Sequence, residues 1–457
     1  MKMQMLSRAE YMKLLNKYKN LYAMYVEYPH KSLWTPEFSG AAYAAAIEEH
    51  ILKSSNAPLL LYIHIPFCKL QCYYCTCHTV ITSNYDRVRQ YLELLYAEMD
   101  LLKAVFDKHG VKPNIKEIHL GGGSPTILKI EDFDKLIDKL GSITDLSSVK
   151  EFTIEVDPRS VSTDTLKYYH SKGLNRLSFG VQEFNPEVQK AINRVQPAAL
   201  VESLLTPEIR GLFHGINFDF MWGLPKQTRA SYKESLETLL RIAPDRISLL
   251  LLHFAPKLKK HQLMMKESDL PDLYERTLMF HDAVEQLTGN GYVRIGLEHF
   301  AKPDDDLSKA LKAGTAAWNS LGYTAGRYFN VIGIGTGSSG TIADNYYFQN
   351  TYELPEYEKL LKAGLLPAFR GYKLNNDDVI RRELIQKMRI YFRLDFKYFE
   401  DKYKIVFAEY FSAELKALNE FVKDGILELG KGHLEVTELG KFFTMQICRT
   451  FDKYGNN

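Results

Sequence analysis

The chain has few cysteines, little net charge and no long apolar run. Its 457 residues include five cysteines and carry a formal net charge of +2. So small a charge gives no electrostatic reason to expect nucleic acid or a membrane as a partner. No stretch reaches the ~20 apolar residues of a membrane span. The first ten residues also lack the apolar core and cleavage site of a signal peptide, and the sequence therefore predicts a cytoplasmic protein in a reducing compartment.

The cysteines lie almost entirely in one place. Cys68, Cys72, Cys75 and Cys77 fall within ten residues, whereas Cys448 stands alone near the C-terminus. Structural zinc sites normally use two ligand pairs a dozen or more residues apart, and disulfide scaffolds are short, secreted and rich in cysteine. The single compact group therefore favours an iron–sulfur site. Cys448 is interpreted as an ordinary buried thiol.

The spacing of the first three cysteines, C-x3-C-x2-C, suits a [4Fe–4S] cluster with one open iron. Three thiolates, from Cys68, Cys72 and Cys75, would bind three of the four irons. The fourth iron is then left to bind a substrate or a cofactor. Cys77 provides one more thiol, and the sequence leaves open whether it binds iron.

From about residue 59 the chain alternates between predicted strands and predicted helices. Apolar runs rich in strand formers indicate the strands, and apolar residues at spacings of three and four indicate the helices. The predicted strands are Leu59–Ile65, Ile115–Leu120, Glu151–Val156, Arg176–Phe179, Ile216–Met221 and Arg246–Leu252, with helices at Tyr85–Phe106, Ile130–Leu140, 163–172, 187–204 and 230–242. This order predicts an α/β fold in which a parallel sheet forms a partial (β/α)6 barrel.

The chain is expected to divide into three parts. Residues 1–55, which include Tyr22 and Tyr25, are predicted to be a segment that caps the barrel, and residues 56–350 to be the barrel itself. Residues 351–457 are predicted to form a mainly helical domain with a two-stranded, winged-helix-like end. Because this end mixes acidic and basic residues evenly, we expect a lid or docking element rather than a DNA-binding module. Its predicted helices are Asp377–Phe392, Lys397–Tyr403 and Ala413–Lys423.

Several polar or glycine-rich positions follow the predicted strands. The run from Gly121 to Ser124 lacks the Gly-Lys-[Ser/Thr] ending of a phosphate-binding loop. Glu155 and Asp219 lie at or near the ends of two apolar strands. Because the C-terminal ends of parallel strands meet at one mouth, we expect these groups to share a site with the cysteine loop.

Taken together, these motifs resemble the radical S-adenosylmethionine (SAM) superfamily, and within it the oxygen-independent coproporphyrinogen III oxidase family. The resemblance runs through nearly the whole chain, and Cys75-Thr76-Cys77 resembles the family's Cys-Gly-Cys. It implies a [4Fe–4S] cluster and SAM as cofactors, with a 5′-deoxyadenosyl radical as the reactive species. The motifs are the cysteine loop, Gly121–Thr126, Ile154–Arg159, Asn175–Phe184, Asn193–Arg194, Asn217–Thr228, Gly296–Asp305 and Val379–Glu383.

The resemblance also implies roles for individual residues. Cys68, Cys72 and Cys75 would bind the cluster. The residues that would bind SAM are Tyr62, Gly122, Gly123, Ser124, Glu155, Gln182, Arg194 and Asp219, and Tyr74 beside the cluster completes the expected cofactor-binding set. Tyr74 and Trp222 are expected to line a flat tetrapyrrole pocket.

The implied reaction is the oxidative decarboxylation of two propionates of coproporphyrinogen III, giving protoporphyrinogen IX in haem biosynthesis. The substrate is a small-molecule tetrapyrrole. The other implied partners are an external, flavodoxin-like reductant and an unidentified electron acceptor, and the chain is expected to be a monomer.

This sequence departs from the family pattern at positions where the family binds a second SAM and the substrate. Met221, Trp222, His253, Leu321 and Ser339 stand where the family has other residues, and Met24 and Trp318 replace two of its arginines. Arginine is the natural partner of a carboxylate, so these losses predict an altered pocket. Two alternatives follow: a paralogue that degrades, methylates or cyclopropanates another substrate such as haem, and a haem-binding or trafficking protein.

Overall fold

The computed structural model of the protein describes residues 6–18, 27–326 and 330–455. Its strands are β1 Leu59–Ile65, β2 Phe67–Cys68, β3 Val80–Ile81, β4 Ile115–Gly122, β5 Glu151–Val156, β6 Arg176–Gln182, β7 Gly215–Trp222, β8 Arg246–Leu251, β9 Val293–Ile295, β10 His299–Ala301, β11 Ala317–Asn319, β12 Gly322–Thr324, β13 Val331–Ile334, β14 Ser339–Ile342, β15 Tyr346–Asn350, β16 Ala368–Lys373, β17 Arg393–Asp395, β18 Leu427–Leu429 and β19 His433–Val436.

The α-helices lie mainly between these strands. They are α1 Arg8–Lys17, α2 Gly40–Ser54, α3 Tyr85–Asp107, α4 Ile130–Ile143, α5 Thr163–Ser171, α6 Pro186–Ala191, α7 Ala198–Leu204, α8 Pro207–Leu212, α9 Arg229–Ile242, α10 Leu273–Gly289, α11 Asp306–Lys312, α12 Leu354–Lys362, α13 Asn376–Tyr391, α14 Phe396–Tyr403, α15 Phe407–Tyr410, α16 Ser412–Lys423 and α17 Thr444–Thr450. Short 3-10 helices lie at Lys31–Leu33, Pro125–Ile127, Leu146–Ser148, Pro158–Ser160, Lys260–Met264, Glu267–Asp269 and Gly440–Phe443.

Six parallel strands, β1, β4, β5, β6, β7 and β8, form the partial barrel. Side chains alternate between the two faces of each strand. On β1, Leu61, Ile63 and Ile65 are buried in the main core between the sheet and the helices, so Tyr62 and His64 face the barrel interior. The predicted fold class is confirmed, and the barrel opens where the C-terminal ends of its strands meet.

The helices pack on the outside of the barrel through apolar faces. Helix α3 begins after Asn84, whose side chain accepts a hydrogen bond from the backbone N–H of Asp86. One face of the helix is buried. Each large apolar side chain on that face contributes about 1.5–3 kcal/mol to the free energy of unfolding, because its apolar surface is removed from water. The buried apolar residues are Val88, Tyr91, Leu92, Leu95, Met99, Leu102 and Phe106.

Beyond the barrel, the same sheet continues on both sides. Strand β13 pairs in parallel with β1, and β14, β15 and β16 follow it in antiparallel order. On the opposite side, β10 and β9 are added to β8 in antiparallel orientation. The large sheet therefore reaches Lys373, and the division of the chain at residues 55 and 350 stays a prediction.

The predicted helix over 187–204 is wrong, because the structure has two helices there. Helix α6 ends at Ala191 and α7 begins at Ala198. Between them, Asn193 has a φ of +55°, and Pro197 precedes the first residue of α7. A left-handed residue cannot continue an α-helix, and the break brings Arg194 to the cysteine loop.

The C-terminal helices and the N-terminal helix share a second core. Apolar residues of α1, including Leu14 and Leu15, are buried with residues of α13 to α17. The predicted two-stranded wing is a three-stranded sheet in the order β17-β19-β18, because Arg393–Asp395 directly after α13 pairs with β19. Tyr22 and Tyr25 lie outside the described residues. Within the described part of the chain, no helix is long and apolar enough to cross a membrane.

Candidate active site

The cysteine loop runs from β2 to β3 and is held at both ends by backbone hydrogen bonds. The N–H of Thr82 donates to the carbonyl of Cys68 at 3.0 Å, and the N–H of Tyr73 donates to Ile192 at 3.0 Å. The side-chain amide of Asn193 donates to the carbonyl of Gln71 at 2.9 Å. The helix break after α6 therefore positions the first half of the loop.

The segment after β8 holds the second half of the loop. Three of its side chains reach loop carbonyls: His261 Nε2 lies 2.7 Å from Cys75 O, Gln262 donates to Tyr74 O at 3.1 Å, and Lys259 donates to Cys77 O at 2.9 Å. Hydrogen bonds to both halves reduce the number of conformations open to the thiols.

The thiols differ in how well their surroundings suit anionic sulfur. Arg194 Nη1 lies 3.4 Å from the sulfur of Cys72, and Arg159 Nη2 lies 3.8 Å from it. Burial raises the pKa of Cys68 to about 12, whereas a hydrogen bond with Cys77 lowers the pKa of Cys75 to about 7. Positive charge beside a thiolate favours its ionised form.

The arrangement of the thiols is compatible with a cluster. Within the described residues, no three His, Cys, Asp or Glu side chains converge on a point where they would bind one metal ion. A [4Fe–4S] cluster does not require such convergence, because each thiolate binds a different iron. Cys68 nevertheless interacts electrostatically with both Cys72 and Cys75, so the three predicted ligands are neighbours.

The glycine-rich end of β4 lies against the start of the cysteine loop. The N–H of Gly123 donates to Ile65 O at 2.8 Å, and the N–H of Ser124 donates to Phe67 O at 2.9 Å. Gly122 has a φ of +118°, and a Cβ there would lie 2.7 Å from the imidazole of His64. Only glycine combines this backbone conformation with so close an approach.

Two predicted carboxylates face the barrel interior beside this strand end. Glu155 accepts from the N–H of Gly122 at 3.1 Å and lies 3.1 Å from His119 Nε2. Asp219 accepts from the side-chain amide of Asn217 at 3.0 Å. Burial raises the pKa of Asp219 to about 6, and the neighbouring Glu155 adds to the shift. The two acids are thus close enough to interact.

Gln182 and Arg194 complete the predicted set on the β6 side. Gln182 has a φ of +68° at an irregularity in the pairing of β6 with β7, and its Oε1 is buried without a hydrogen-bond partner among the described residues. A buried polar atom of this kind needs a partner from outside the protein. Arg194 donates to the carbonyl of Gly180 at 3.1 Å. The unpaired Gln182 oxygen and the thiol set therefore fit the expected cofactors.

Sequence reasoning missed several charged groups of this site. Asp157 accepts from Arg159 at 2.7 Å and lies 3.5 Å from Arg194. His119 is paired with Glu155. Two of these residues had a signal in the sequence. Arg159 follows a strand end within the Ile154–Arg159 motif, and His119 lies two residues before the glycines.

The positions that depart from the family pattern lie in different places. Met221 and Tyr74 pack in one apolar cluster beside the cysteine loop. Trp222 faces the opposite side of β7, with its ring 5.1 Å from that of Phe280, so the predicted role of Trp222 in lining the pocket is wrong. Alternation along the strand explains this, because Met221 faces inward and its neighbour must face outward. Met24 lies outside the described residues.

The remaining departures also differ in burial. His253 is exposed after β8, whereas Leu321 lines a cavity of about 60 Å³ with Glu117 and His119. Trp318 is buried, and the guanidinium carbon of Arg389 lies 3.4 Å from its ring centroid. An arginine from the C-terminal part thus lies beside the position where the family's arginine is missing. Cys448 is buried, with its sulfur 3.8 Å from Ile385 O.

Comparison with known proteins decides the family. Residues 62–239 match the Radical SAM superfamily, and residues 374–443 match the HemN C-terminal domain. The oxygen-independent coproporphyrinogen III oxidase of Salmonella typhimurium is 34% identical over 442 residues, which cover 96% of this chain and 94% of that protein. The chain belongs to the oxygen-independent coproporphyrinogen III oxidase family.

Other members of the oxygen-independent coproporphyrinogen III oxidase family agree with this assignment in sequence and structure. The Synechocystis oxidase is 35% identical over 97% of this chain and 95% of its own length. The solved structure of coproporphyrinogen III oxidase (HemN) from Escherichia coli, a radical SAM enzyme, superposes with a TM-score of 0.89 at 33% identity, covering 97% of this chain and 98% of that one. A [4Fe–4S] cluster and SAM are the cofactors of this family.

Proposed function

We propose that this chain catalyses the oxygen-independent oxidative decarboxylation of two propionates of coproporphyrinogen III, giving protoporphyrinogen IX. The observation that supports this most strongly is the convergence of the cysteine loop, the β4 glycines and the unpaired Gln182 oxygen at one mouth. The family's named activity, in relatives that match along nearly their whole length, supports the choice of substrate.

In this proposal the three thiols and the polar set have separate tasks. Cys68, Cys72 and Cys75 hold the cluster, and Arg194 places positive charge beside Cys72. The residues proposed to hold SAM are Tyr62, Gly122, Gly123, Ser124, Glu155, Gln182, Arg194 and Asp219, and Tyr74 lies beside the cluster in the wider cofactor-binding set. When bound, the cluster and SAM supply one-electron chemistry that removes a hydrogen atom from the β-carbon of a propionate.

The protein's own residues control access and orientation. Gly122 lets its N–H reach the Glu155 carboxylate, because any side chain there would meet His64. The packing of Tyr74 and Met221 near the thiols excludes water from that side of the loop. Exclusion of water protects reactive species from side reactions.

The proposal includes partners that complete the electron balance. Each decarboxylation releases carbon dioxide and leaves one electron for an acceptor, and a flavodoxin-like protein is the proposed external reductant. We propose that the chain acts in the cytoplasm, because a cluster held by thiolates requires a reducing compartment. We also propose that it acts as a monomer, as the family resemblance implies.

Product analysis tests the proposed function. Anaerobically reconstituted protein is incubated with reductant, SAM and coproporphyrinogen III, with haem as the alternative substrate, and the oxidised products are separated chromatographically. The expected result is protoporphyrin from coproporphyrinogen III and an unchanged haem sample. Cleavage of SAM with consumption of haem alone would contradict the proposal, and so would tight haem binding without SAM cleavage.

A further inference from the structure

The interior face of the large sheet continues beyond the barrel onto β14, β15 and β16. Ser339 on β14 pairs with Gln349 on β15, and Gln349 pairs with Arg370 on β16. Directly paired residues of neighbouring strands point to the same face. The opposite face is buried in the main core, and its residues include Ile63, Ile334, Ile342, Tyr346 and Phe348. Ser339, Gln349 and Arg370 therefore form a row on the same face as Tyr62 and His64.

This row begins next to the cysteine loop. The ring of His78, the residue after Cys77, lies 5.2 Å from that of Tyr352. The side chain of Gln349 donates to the hydroxyl of Tyr352, and its Oε1 accepts from Arg370 Nε at 2.9 Å. A continuous set of contacts thus joins the loop to Arg370, at the same end of the sheet as the C-terminal ends of the barrel strands.

Arg370 carries a charge that no nearby carboxylate neutralises directly. Its side chain is partly buried, and its hydrogen bonds go to the neutral amide of Gln349. Among the described residues, no carboxylate forms an ion pair with it. A guanidinium fork matches the geometry of a carboxylate, so this arrangement leaves a strong donor available to a ligand.

A second cation approaches the row from the N-terminal segment. Lys31 Nζ lies 3.2 Å from Ser339 Oγ and 3.3 Å from the carboxylate of Glu27. Glu27 is buried, and it interacts electrostatically with Arg370 as well as with Lys31. Glu27 also interacts electrostatically with Arg389, so one carboxylate serves three cations and the row keeps a net positive charge.

We propose that Arg370, supported by Gln349 and Lys31, binds a substrate carboxylate that is not undergoing reaction. This inference rests on the proposed function, since coproporphyrinogen III carries four propionates on the rim of its ring. Four strand spacings separate β1 from β16, roughly 19 Å along the sheet. That span is comparable with a tetrapyrrole and its propionate arms, so one arm reaches Arg370 while another lies near the mouth.

The same subsite accounts for the two missing family arginines. Met24 and Trp318 provide no positive charge, yet a substrate with several carboxylates still needs cationic partners. Arg370 and Lys31 provide them from β16 and from the segment before α2. Specificity for a tetracarboxylic tetrapyrrole is thereby retained with a different set of side chains.

Binding measurements on the intact protein test the subsite directly. Arg370→Gln is compared with Lys373→Gln, a control on the same strand whose exposed side chain lies at the opposite end of β16. The probes are coproporphyrin III, the coloured oxidised form of the proposed substrate, and its uncharged tetramethyl ester. We expect Arg370→Gln to weaken acid binding by about tenfold or more, the effect of losing a charge-assisted hydrogen bond, and to leave ester binding unchanged.

The control and a conservative variant give further expected outcomes. Lys373→Gln retains the original affinity for the acid, and Arg370→Lys recovers part of it because the charge returns without the fork. Thermal melts confirm that each variant is folded. Equal affinity of Arg370→Gln and the unchanged protein for the acid would overturn the subsite, and so would an equal loss for acid and ester.

Kinetics separate failure of the subsite from failure of the proposed function. With coproporphyrinogen III, Arg370→Gln is expected to raise KM about tenfold and to leave kcat unaltered, since the contact is present before and during the reaction. Turnover with an unchanged KM in Arg370→Gln would overturn the subsite alone. Charge-dependent binding of coproporphyrin III without any turnover would overturn the proposed activity and leave the subsite standing.

Discussion

At the residue scale, buried acids show how the fold constrains ionisation. Glu98 on α3 is fully buried and accepts hydrogen bonds from the N–H of Gly335 at 2.7 Å, from Asn350 at 2.6 Å and from the hydroxyl of Tyr357. Burial nevertheless raises the pKa of Glu98 to about 7 from a usual 4.5. The hydrogen bonds thus only partly offset the loss of water.

The raised pKa of Glu98 predicts a pH dependence of stability. Glu98 binds a proton more tightly in the folded protein than in the unfolded chain. Its contribution to the free energy of unfolding is therefore favourable at low pH and is lost between about pH 4.5 and 7. The stability difference between the unchanged protein and Glu98→Gln should fall by about 3 kcal/mol across this range. Urea midpoints at several pH values measure it.

A surface acid supplies the control for this titration. Glu48 is exposed enough to be solvated and pairs with Lys108 at 2.7 Å, which lowers the pKa of Glu48. The stability difference between the unchanged protein and Glu48→Gln should therefore not fall with rising pH. A difference between Glu98→Gln and the unchanged protein that stays constant with pH would show that Glu98 is not perturbed.

At the scale of elements, the end of β4 is the most constrained part of the site. Gly122→Ala should abolish SAM binding or weaken it more than tenfold, because the new Cβ meets His64 and displaces the strand end. Gly110→Ala is the matched control: Gly110 also has a positive φ, of +64°, but a Cβ there has nothing within 4 Å. Equilibrium binding of SAM to reconstituted protein distinguishes the two.

The two glycine substitutions should differ in which property they change, SAM affinity or stability alone. Gly110→Ala should cost about 1–2 kcal/mol of stability through backbone conformation alone and leave SAM affinity unchanged. Equal SAM affinity in both variants would show that the β4 end does not shape the cofactor site.

The sequence predicted the strands and helices of the barrel better than it predicted the connecting segments and the placement of charged side chains. Strand-forming residues placed β1 and β5 at their observed bounds, because apolar side chains at alternate positions of each strand pack against the helices. The break at Asn193 was missed, although Pro197 within the predicted helix was a signal that the helix ends there. Arg370 gave no signal either, because its place opposite Gln349 depends on strand register rather than on any local motif. The cysteine loop was found because its chemistry lies within ten residues.

At the scale of the whole molecule, one ion pair joins the C-terminal helices to the barrel. Arg389 on α13 donates to Glu298, which directly precedes β10, at 2.8 Å. The side chains of Arg389 and Glu298 are 2% and 16% exposed. Loss of one partner from a buried pair leaves the other charge uncompensated.

Arg389→Met should therefore destabilise the protein by about 3–5 kcal/mol. Arg393→Met is the control, because its pair with Glu435 has about half of each side chain exposed, and such pairs contribute about 1 kcal/mol or less. Thermal unfolding measures both. Similar melting temperatures for the two variants would contradict a structural role for the buried pair.

The proposed activity depends on removal of hydrogen from a propionate β-carbon at the mouth built around Cys68, Cys72 and Cys75. Coproporphyrinogen III deuterated at those carbons tests this most directly, with mass spectrometry of the 5′-deoxyadenosine released from SAM. The expected result is 5′-deoxyadenosine that has gained one deuterium, together with protoporphyrinogen IX. Release of unlabelled 5′-deoxyadenosine while the deuterated substrate is recovered intact would contradict it.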